Sequence, residues 1–516
     1  MKAFHFDFNT AFFRIDYLKE FIQKLHIWGY DTIIWELENY VLWDSVPGIG
    51  EKDSVSKSQF QELLTFAESL KMDNIPLLQC LGHCEYVLQS PAYSELADTP
   101  EKWGPYCPSN VKTREFLRRW IEEYLEIFAN STFFHLGCDE VWHLGVSCPE
   151  CKKRIAGGEK AALMSSHINF LAAIIRNAKK TPVIWADMLL IYPEMAELLA
   201  KDIVMVDWRY ELRSDCQKLW LWDDKGGYLI DENNITDNMR KYFGKYLYCD
   251  GKVNIHYTTD FLKAHGFKVI CAGASSCYPD NFLLGNAENH LYNSCTMMKK
   301  GMENFGYLHT SWTVHLFFYE LQMAIEMADN IANCRDLTDK YTLKYFGIEG
   351  KEFFEALNLL APRVLFSGAE STGCGKAVKS AAPDIIRTKL HELHNNGILE
   401  SELTKTIQYS KDFNTAVNKL HKLRKSVKFG KELFDLYILA AEALLNRADF
   451  GILAASEFLG RTHSINRKKV KTELLRLQEL YLIEYMHRQT PEHAERIIHT
   501  IFGTLLEYLT ITEQSY

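Results

Sequence analysis

The sequence predicts an α/β fold in which a (β/α)8 TIM barrel is followed by an all-helical C-terminal domain. Eight short apolar runs alternate with amphipathic helical patterns over the first 320 residues. Polar and aromatic side chains gather where nearly every one of these runs ends, and strand-like runs stop after about Ala328. We therefore expect a barrel over residues 1–328 and a helical domain over residues 329–516.

The predicted strands are short runs bounded by turn residues. In chain order they are Lys2–Phe8, Asp31–Leu37, Ile75–Leu81, Thr132–Gly137, Pro182–Asp187, Ile203–Arg209, Phe267–Ala274 and Phe305–Trp312. A doubly wound open sheet would show the same alternation of strands and helices. The count of eight and the polar strand ends favour a closed barrel, whose strand ends all face one mouth.

The helices between these strands each carry one apolar stripe at positions i, i+3, i+4 and i+7, typical of a helix packed on a sheet. The first three stripes are Leu18, Phe21, Ile22 and Leu25; Phe60, Leu63, Leu64 and Ala67; and Leu117, Trp120, Ile121 and Tyr124. For the first helix, Asp16 is the predicted N-cap, and Gly29 is expected just beyond the C-terminus.

Helical spacing continues alone in the last part of the chain. Two predicted stripes are Leu433, Tyr437, Ala440 and Leu444, and Leu474, Leu477, Tyr481 and Tyr485. The Gly/Ser-rich stretch Ser367–Lys376 predicts a loop. We expect this domain to pack on the barrel or to form the contacts of a homodimer.

Composition excludes several functional classes. The net charge of -9 and the lack of a Lys/Arg stripe argue against a nucleic-acid partner. No stretch approaches the roughly 18 apolar residues of a membrane span, so no membrane partner is expected. The 13 scattered cysteines, and a start (MKAFHFDFNT) without a basic and then apolar leader, predict a cytoplasmic protein with free thiols.

The fourth predicted strand runs into two adjacent acids, Asp139 and Glu140, in FFHLGCDEVWHLG. Neighbouring residues of a strand point to opposite faces, so the pair can share a pocket only where the strand ends. Two carboxyl groups held this close favour one anionic and one protonated member, which suits acid/base chemistry on a glycosidic bond. Without its context, the same dipeptide could be a solvated cap of the next helix.

The context resembles a known signature. The run from His135 to Glu140 resembles the His-x-Gly-Gly/Ala-Asp-Glu motif of glycoside hydrolase family 20, the β-N-acetylhexosaminidases. The stretches GYDTIIWELENYVLW, IPLLQCLGHCEYVLQ, CPS (residues 107–109) and LGVSCPEC (residues 144–151) are similar to the hexosaminidase D branch. The resemblance covers roughly residues 1–325 and is densest from 29 to 151.

The resemblance implies an exo-acting, retaining β-N-acetylhexosaminidase that removes terminal β-linked GalNAc or GlcNAc, with a weak lean toward GalNAc, and that needs no cofactor. The acetamido oxygen of the substrate would attack the anomeric carbon and form an oxazolinium intermediate, an exception to the two-carboxylate scheme. Asp139 would orient the acetamido group, and Glu140 would act as general acid and then general base. His83, in LGHCE, would tune the proton with either Glu36 or Glu38.

Substrate recognition should come from strand ends, because sugar rings stack on aromatic side chains and the acetamido methyl needs an apolar pocket. The predicted substrate-binding residues are Asp7, Glu38, His135, Trp185, Trp208, Tyr210 and Trp312. Many relatives place a sugar-clamping arginine after strand one, but this chain has Asn9 there and no base before Arg14. Asp7 could take over hydroxyl binding, and the insertion Glu211–Gly266 could shape the leaving-group side.

The residues allow three other interpretations. Cys148 and Cys151 have metal-ligand spacing, with Cys107 as the best third ligand, but no second CxxC or HxxxH follows, so no metal site is expected. The pair His5-x-Asp7 could indicate a metal-dependent barrel hydrolase, but no matching HxH is present. The main functional alternative is a catalytically silent barrel that binds N-acetylhexosamine.

Overall fold

The computed structural model describes residues 1–9, 11–99, 104–212, 219–223, 226–230, 235–274, 287–312, 337–367 and 383–513. The chain forms two compact units. The first comprises Met1–Asn9, Leu18–Gly273 and Thr296–Thr310, and the second comprises Thr10–Tyr17, Ala274–Cys295 and Ser311–Tyr516. The predicted boundary after residue 328 lies outside the described residues.

The first unit is a closed barrel of eight strands. They are β1 (Lys2–Asp7), β2 (Thr32–Glu36), β3 (Asp73–Leu77), β4 (Phe133–His135), β5 (Thr181–Trp185), β6 (Val204–Trp208), β7 (Val269–Ala274) and β8 (Gly306–Thr310). Their order around the barrel is β1-β8-β7-β6-β5-β4-β3-β2. Each strand pairs with its neighbour in parallel, for example Asp7 with Glu36 and Leu77 with His135. The predicted TIM barrel is confirmed.

Helices alternate with these strands. In chain order they are α1 (Ile15–Ile27), α2 (Lys57–Ser69), α3 (Glu85–Leu88), α4 (Val111–Ile127), α5 (Pro149–Ala156), α6 (Lys160–Asn177), α7 (Asp187–Ile191), α8 (Met195–Leu198), α9 (Asp237–Phe243), α10 (Tyr257–Ala264) and α11 (Ala287–Met302). All twelve residues of the three predicted stripes are buried in α1, α2 and α4. Burial of these stripes removes apolar surface from water and fixes each helix against the barrel.

The predicted stop signal of α1 is confirmed, whereas its predicted start signal is wrong. Gly29 has φ +81°, and the bonds from Gly29 N to His26 O and from Tyr30 N to Leu25 O close the helix in a Schellman motif. Asp16, however, is not an N-cap. It lies inside the first turn, where its carboxylate accepts from the Arg14 guanidinium at 3.0 Å.

The insertion between β6 and β7 has structure of its own. It contains an antiparallel hairpin of Leu219–Asp223 with Gly226–Ile230, then α9, a short ribbon of Tyr248–Cys249 with Lys252–Val253, and α10. A buried network attaches α10 to the end of β6, since Asp207 Oδ2 accepts from the hydroxyls of Thr258 and Thr259.

The second unit is helical over its described residues. Its helices are α12 (Leu337–Phe346), α13 (Lys351–Leu360), α14 (Asp384–Asn395), α15 (Leu399–Arg424), α16 (Lys431–Phe458), α17 (Arg467–Met486), α18 (Pro491–Ile498) and α19 (Thr504–Glu513), with a π-helical turn at His499–Gly503. The predicted stripe residues of α16 and α17 are buried in one apolar core, except that Leu433 packs at its edge. The predicted loop lies outside the described residues beyond Ser367.

Within the described ranges, no helix combines the length and the apolar character needed to cross a bilayer.

Candidate active site

The acidic pair lies in a sharply turned segment directly after β4. β4 ends at His135, and the backbone then takes positive φ at Gly137 (64°), Cys138 (72°) and Glu140 (48°). This turn removes the strict alternation of strand residues, so two adjacent acids can approach the same side chain. Positive φ at a non-glycine residue costs about 1–3 kcal/mol and persists only where surrounding contacts enforce it.

Such backbone strain is concentrated at the predicted site. The described residues include eight non-glycine positions with positive φ, and Glu38, His83, Cys138 and Glu140 are four of them. These four lie in the segments that follow β2, β3 and β4. The strain therefore marks one mouth of the barrel as the place where the fold departs from relaxed geometry.

Contacts from β4, β5 and the segment after β3 enforce the turn at Gly137. Gly137 N donates to Nδ1 of His135 at 3.0 Å, and Trp185 N donates to the Gly137 carbonyl at 3.1 Å. A Cβ at Gly137 would lie 2.0 Å from Oε1 of Gln79. The glycine of the motif is thus required by both its φ and its neighbours.

His83 connects the two acids. Its Nε2 lies 3.4 Å from Oδ2 of Asp139 and 3.3 Å from Oε2 of Glu140. Asp139 is almost fully buried, whereas Glu140 and His83 are partly exposed, with about a third of each side chain accessible. One imidazole nitrogen therefore faces both carboxyl groups at the edge of solvent, which allows it to hold a proton shared with either of them.

The charge of Asp139 is favoured by these contacts. Burial alone would raise the pKa of Asp139, but the charge and hydrogen bond of His83 outweigh burial and lower the pKa below the usual aspartate value. Oδ2 of Asp139 faces His83, while Oδ1 is buried with no hydrogen-bond partner among the described residues. Asp139 is thus an anion with one acceptor atom uncommitted.

Asp187 is a third acid of the site, and sequence reasoning gave it no role. Its Oδ2 accepts from the backbone N of Glu140 at 2.8 Å, and it also receives a hydrogen bond from the Trp208 side chain. Burial and the neighbouring Asp139 raise the pKa of Asp187 well above the usual aspartate value. Burial and Asp139 therefore favour the neutral form of Asp187, and its Oδ2 holds the strained backbone of Glu140 in place. In the sequence, the signal that could have identified Asp187 as a site residue was its position two residues after the end of β5.

The glycine before His83 lets its loop approach the acids. Gly82 is buried, and a Cβ at this position would lie 2.1 Å from the carbonyl oxygen of Asp139. That oxygen belongs to backbone and cannot rotate away as a flexible side chain could. The Gly-His pair in LGHCE therefore acts as a unit, with the glycine providing the space and the histidine the contact.

Gly82→Ala is expected to lower catalytic efficiency and stability together. Relief of the clash must displace either His83 or the Asp139 backbone, and a displacement near 1 Å can cost about 10²-fold in rate. Overpacking of a buried position costs about 1–3 kcal/mol. Thermal unfolding and glycosidase kinetics measure both effects. Gly157→Ala is the matched control, because a Cβ there meets its nearest atom at 3.4 Å. Wild-type behaviour of both variants would contradict this role of Gly82.

Polar side chains fill the barrel interior beneath the acids. His5 Nε2 lies 3.0 Å from Oε2 of Glu36, and Gln79 Nε2 donates to Oε1 of Glu36 at 2.9 Å. Glu36 is thus engaged within the barrel and is not the partner of His83. Of the two alternatives, only Glu38 remains a candidate; it is buried, and its carbonyl accepts from Trp43 Nε1 at 3.1 Å.

Two predicted substrate-binding residues belong to this interior layer. His135 is fully buried, burial lowers its pKa to about 3, and its ring centroid lies 4.7 Å from that of Trp185. Trp185 is 1% exposed. Both side chains are enclosed in the barrel interior below the turn after β4, and their contact with the sugar stays a prediction.

The remaining predicted residues are distributed over both units. Trp208 and Tyr210 are partly exposed at the end of β6, with stacked rings whose centroids lie 5.1 Å apart. Asp7 is buried at the end of β1, where Oδ1 accepts from Asn9 N at 2.8 Å. Trp312 is partly exposed and belongs to the second unit.

Arg14, the first base after β1, also belongs to the second unit. Its guanidinium pairs with Asp16 and donates to the carbonyl of Met486 at 3.4 Å.

Comparison with known proteins identifies relatives of the barrel. Residues 4–226 match the family model described as Glycosyl hydrolase family 20, catalytic domain. Hexosaminidase D of Bos taurus is 28% identical over 200 residues, which cover 38% of this chain and 57% of the relative. Hexosaminidase D of Homo sapiens has the same identity over 38% of this chain and 41% of its own length. The chain thus spans about half the length of these curated relatives.

Among solved structures, Flavobacterium johnsoniae chitobiase aligns with a TM-score of 0.47 and 16% identity over 98% of this chain and 78% of its own. The motif after β4 falls within the matched residues, and its resemblance points to the same family. With this match and the closed barrel that carries it, residues 4–226 of the chain are similar to the catalytic domain of glycosyl hydrolase family 20.

Proposed function

We propose that this protein is an exo-acting, retaining β-N-acetylhexosaminidase that removes terminal β-linked GalNAc or GlcNAc from glycans or glycoconjugates. The observation that carries the proposal is the shared contact of His83 Nε2 with Asp139 at 3.4 Å and Glu140 at 3.3 Å. A lone solvated capping pair has no need of a strained histidine between its carboxyl groups. The family-model match of residues 4–226 and the names of the curated relatives support the same activity.

In the proposed mechanism the nucleophile comes from the substrate. The 2-acetamido oxygen attacks the anomeric carbon and forms an oxazolinium ring as the glycosidic bond breaks, and water later opens this ring. Asp139 has a lowered pKa and a buried Oδ1 without a partner among the described residues, which suits it to accept from the acetamido N–H. A charge already in place costs no reorganisation as positive charge develops on the ring.

Glu140 is the proposed proton donor to the leaving oxygen and then the base that activates water. Its partial exposure suits a group that must meet the leaving group and the incoming water. Asp187 and His83 are positioning residues, since the first holds the Glu140 backbone at 2.8 Å and the second faces its carboxyl group. Trp208 and Tyr210 are the proposed stacking surface for the sugar.

The activity is tested with three 4-nitrophenyl β-glycosides, those of GlcNAc, GalNAc and glucose. Turnover is expected for one or both acetamido sugars and not for the glucoside, because glucose lacks the internal nucleophile. The first product seen by NMR should be the β-anomer, and a thiazoline that mimics the oxazolinium ring should inhibit. The ratio of the two acetamido activities measures the epimer preference.

A catalytically silent N-acetylhexosamine-binding barrel is the alternative. It would bind N-acetylhexosamine in calorimetry and hydrolyse none of the three glycosides. Equal turnover of the glucoside would instead contradict the substrate-assisted route while leaving a glycosidase. The two failures are therefore distinguishable.

A further inference from the structure

A second cluster of chemically active side chains lies in the barrel unit, apart from the acids. It consists of Asp98, Cys107, Cys148 and Cys151. We propose that these four residues bind one zinc ion, and that the ion ties the segment after β4, which carries Asp139 and Glu140, to the segment after β3, which carries His83. This proposal revises the expectation, drawn from the sequence, of no metal site.

The distances fit a single tetrahedral ion. One ligand atom from each of the four residues lies within 4.8 Å of all the others, and the Sγ atoms of Cys107 and Cys151 are 3.6 Å apart. With Zn–S bonds of about 2.3 Å, two thiolates on one tetrahedral zinc lie about 3.8 Å apart. A disulfide would instead bring the two sulfur atoms to about 2.05 Å.

Asp98 supplies an independent sign of a missing positive charge. It is 1% exposed, and its Oδ2 accepts from the backbone N atoms of Gly145 and Val146 at 2.5 and 3.0 Å. Its Oδ1 is buried and has no hydrogen-bond partner within the described part of the chain, where no Lys, Arg or His pairs with Asp98 either. A buried carboxylate needs a cation or a full set of hydrogen bonds, and a zinc ion at Oδ1 would provide the cation.

Local backbone geometry presents the four ligands to one point. Cys148 directly precedes α5, Pro149 begins that helix, and Cys151 lies in its first turn. Asp98 and Cys107 lie on the two arms of a chain reversal, in which Asp98 N donates to Pro105 O and Cys107 N donates to Leu96 O, both at 2.8 Å. Asp98 therefore meets Cys107 through folding and not through a recognisable sequence spacing.

The ligand set selects the metal and its role. Three thiolates with one carboxylate suit zinc, whereas calcium and magnesium prefer oxygen ligands alone. Four protein ligands close the coordination sphere, as in structural sites and unlike catalytic ones, which keep one position open. The hydroxyl of Ser109, 3.1 Å from Cys151 Sγ, can donate to a bound thiolate and orient it.

The proposed consequence is a rigid catalytic segment. Glu140 is fixed on one side by Asp187, and zinc at Cys148 would fix the other end of the same segment. Loss of the metal would then loosen the turn that carries both acids. The metal itself would take no part in the chemical step.

The test is the metal content of the reduced, full-length protein. Inductively coupled plasma mass spectrometry should find about one zinc per chain in protein that was expressed with added zinc. Cobalt should replace it and give the intense visible absorption of a tetrahedral thiolate site. Cys107→Ser and Cys151→Ser should each lower the zinc content at least ~10-fold. Cys249→Ser, an exposed cysteine outside the cluster, should leave it unchanged.

Two further measurements keep the outcome decisive if a cysteine variant fails to fold. Asp98→Asn retains an acceptor for Gly145 and Val146 but loses the charge, and it should weaken zinc binding measured by competition with a chelator. A strong chelator applied to the wild type should lower its melting temperature, and zinc should restore it. The proposal is overturned if reduced protein takes up neither zinc nor cobalt, if Cys107 and Cys151 are joined by a disulfide, or if a variant with both Cys107→Ser and Cys151→Ser retains its zinc.

Discussion

Glu140→Gln is expected to lower kcat on a 4-nitrophenyl β-N-acetylhexosaminide by about 10²–10⁴, the usual contribution of a general acid–base group. Glutamine keeps the shape of the side chain and can still approach His83 Nε2, which lies 3.3 Å from Oε2 in the wild type. It can neither give a proton to the leaving oxygen nor take one from water. The fold should therefore survive while the chemical step fails.

The leaving group gives this prediction a sharper form. An aryl glycoside with an acidic phenol needs little protonation, so its first step should suffer less than that of an alkyl glycoside. Glu122→Gln, at an exposed position of α4, is the matched control and should leave kcat unchanged. Equal losses of kcat/KM, which reports the first step, on aryl and alkyl substrates, or no loss at all, would remove Glu140 from the role of acid.

The barrel could be predicted from the sequence because its signals are local. Each strand is a run of apolar residues, and each of the three helical stripes of α1, α2 and α4 is buried as its spacing required. Strand ends were less accurate. The run Ile75–Leu81 was assigned to one strand, but β3 ends at Leu77, after which Leu78 N and Cys80 N still donate to β4 and the residue beyond it. The chain stays extended beyond the last residue of the regular strand, and no residue type in the sequence marks where the regular strand ends.

The site was only partly predictable, because its contacts join segments distant in sequence. Strand parity placed Glu36 and Glu38 on one face, yet β2 ends at Glu36 and Glu38 has φ 45°. Parity also could not show that His135 is enclosed inside the barrel. The bond from Glu140 N to Asp187, and the closeness of Gly82 to Asp139, depend on how neighbouring loops cross.

Asp139→Asn is expected to lower kcat by about 10²–10³, the range seen when one preorganised electrostatic contact to a developing charge is removed. Asparagine fills the same space but carries no charge, so it does not favour the developing cation. Its amide can donate as well as accept, so it also orients the acetamido N–H less strictly than a carboxylate, which only accepts. The loss should appear in kcat and should exceed any change in KM, because the charge matters most in the transition state.

The same substitution should also change how stability depends on pH in acid, because asparagine keeps the shape of Asp139 but not its charge. The pKa of Asp139 is lowered in the folded protein, so its ionisation stabilises the fold above the ordinary aspartate pKa of about 3.9 and the stabilisation is lost as pH falls through the lower folded value. The urea midpoint of the wild type should therefore fall more steeply than that of Asp139→Asn below about pH 4. Asp202→Asn, an exposed aspartate paired with Arg176, is the control and should follow the wild type closely. Asp139 is not the anion on which the proposed chemistry depends if Asp139→Asn keeps the wild-type kcat and the wild-type dependence of the urea midpoint on pH. An anion in contact with His83 must affect both quantities.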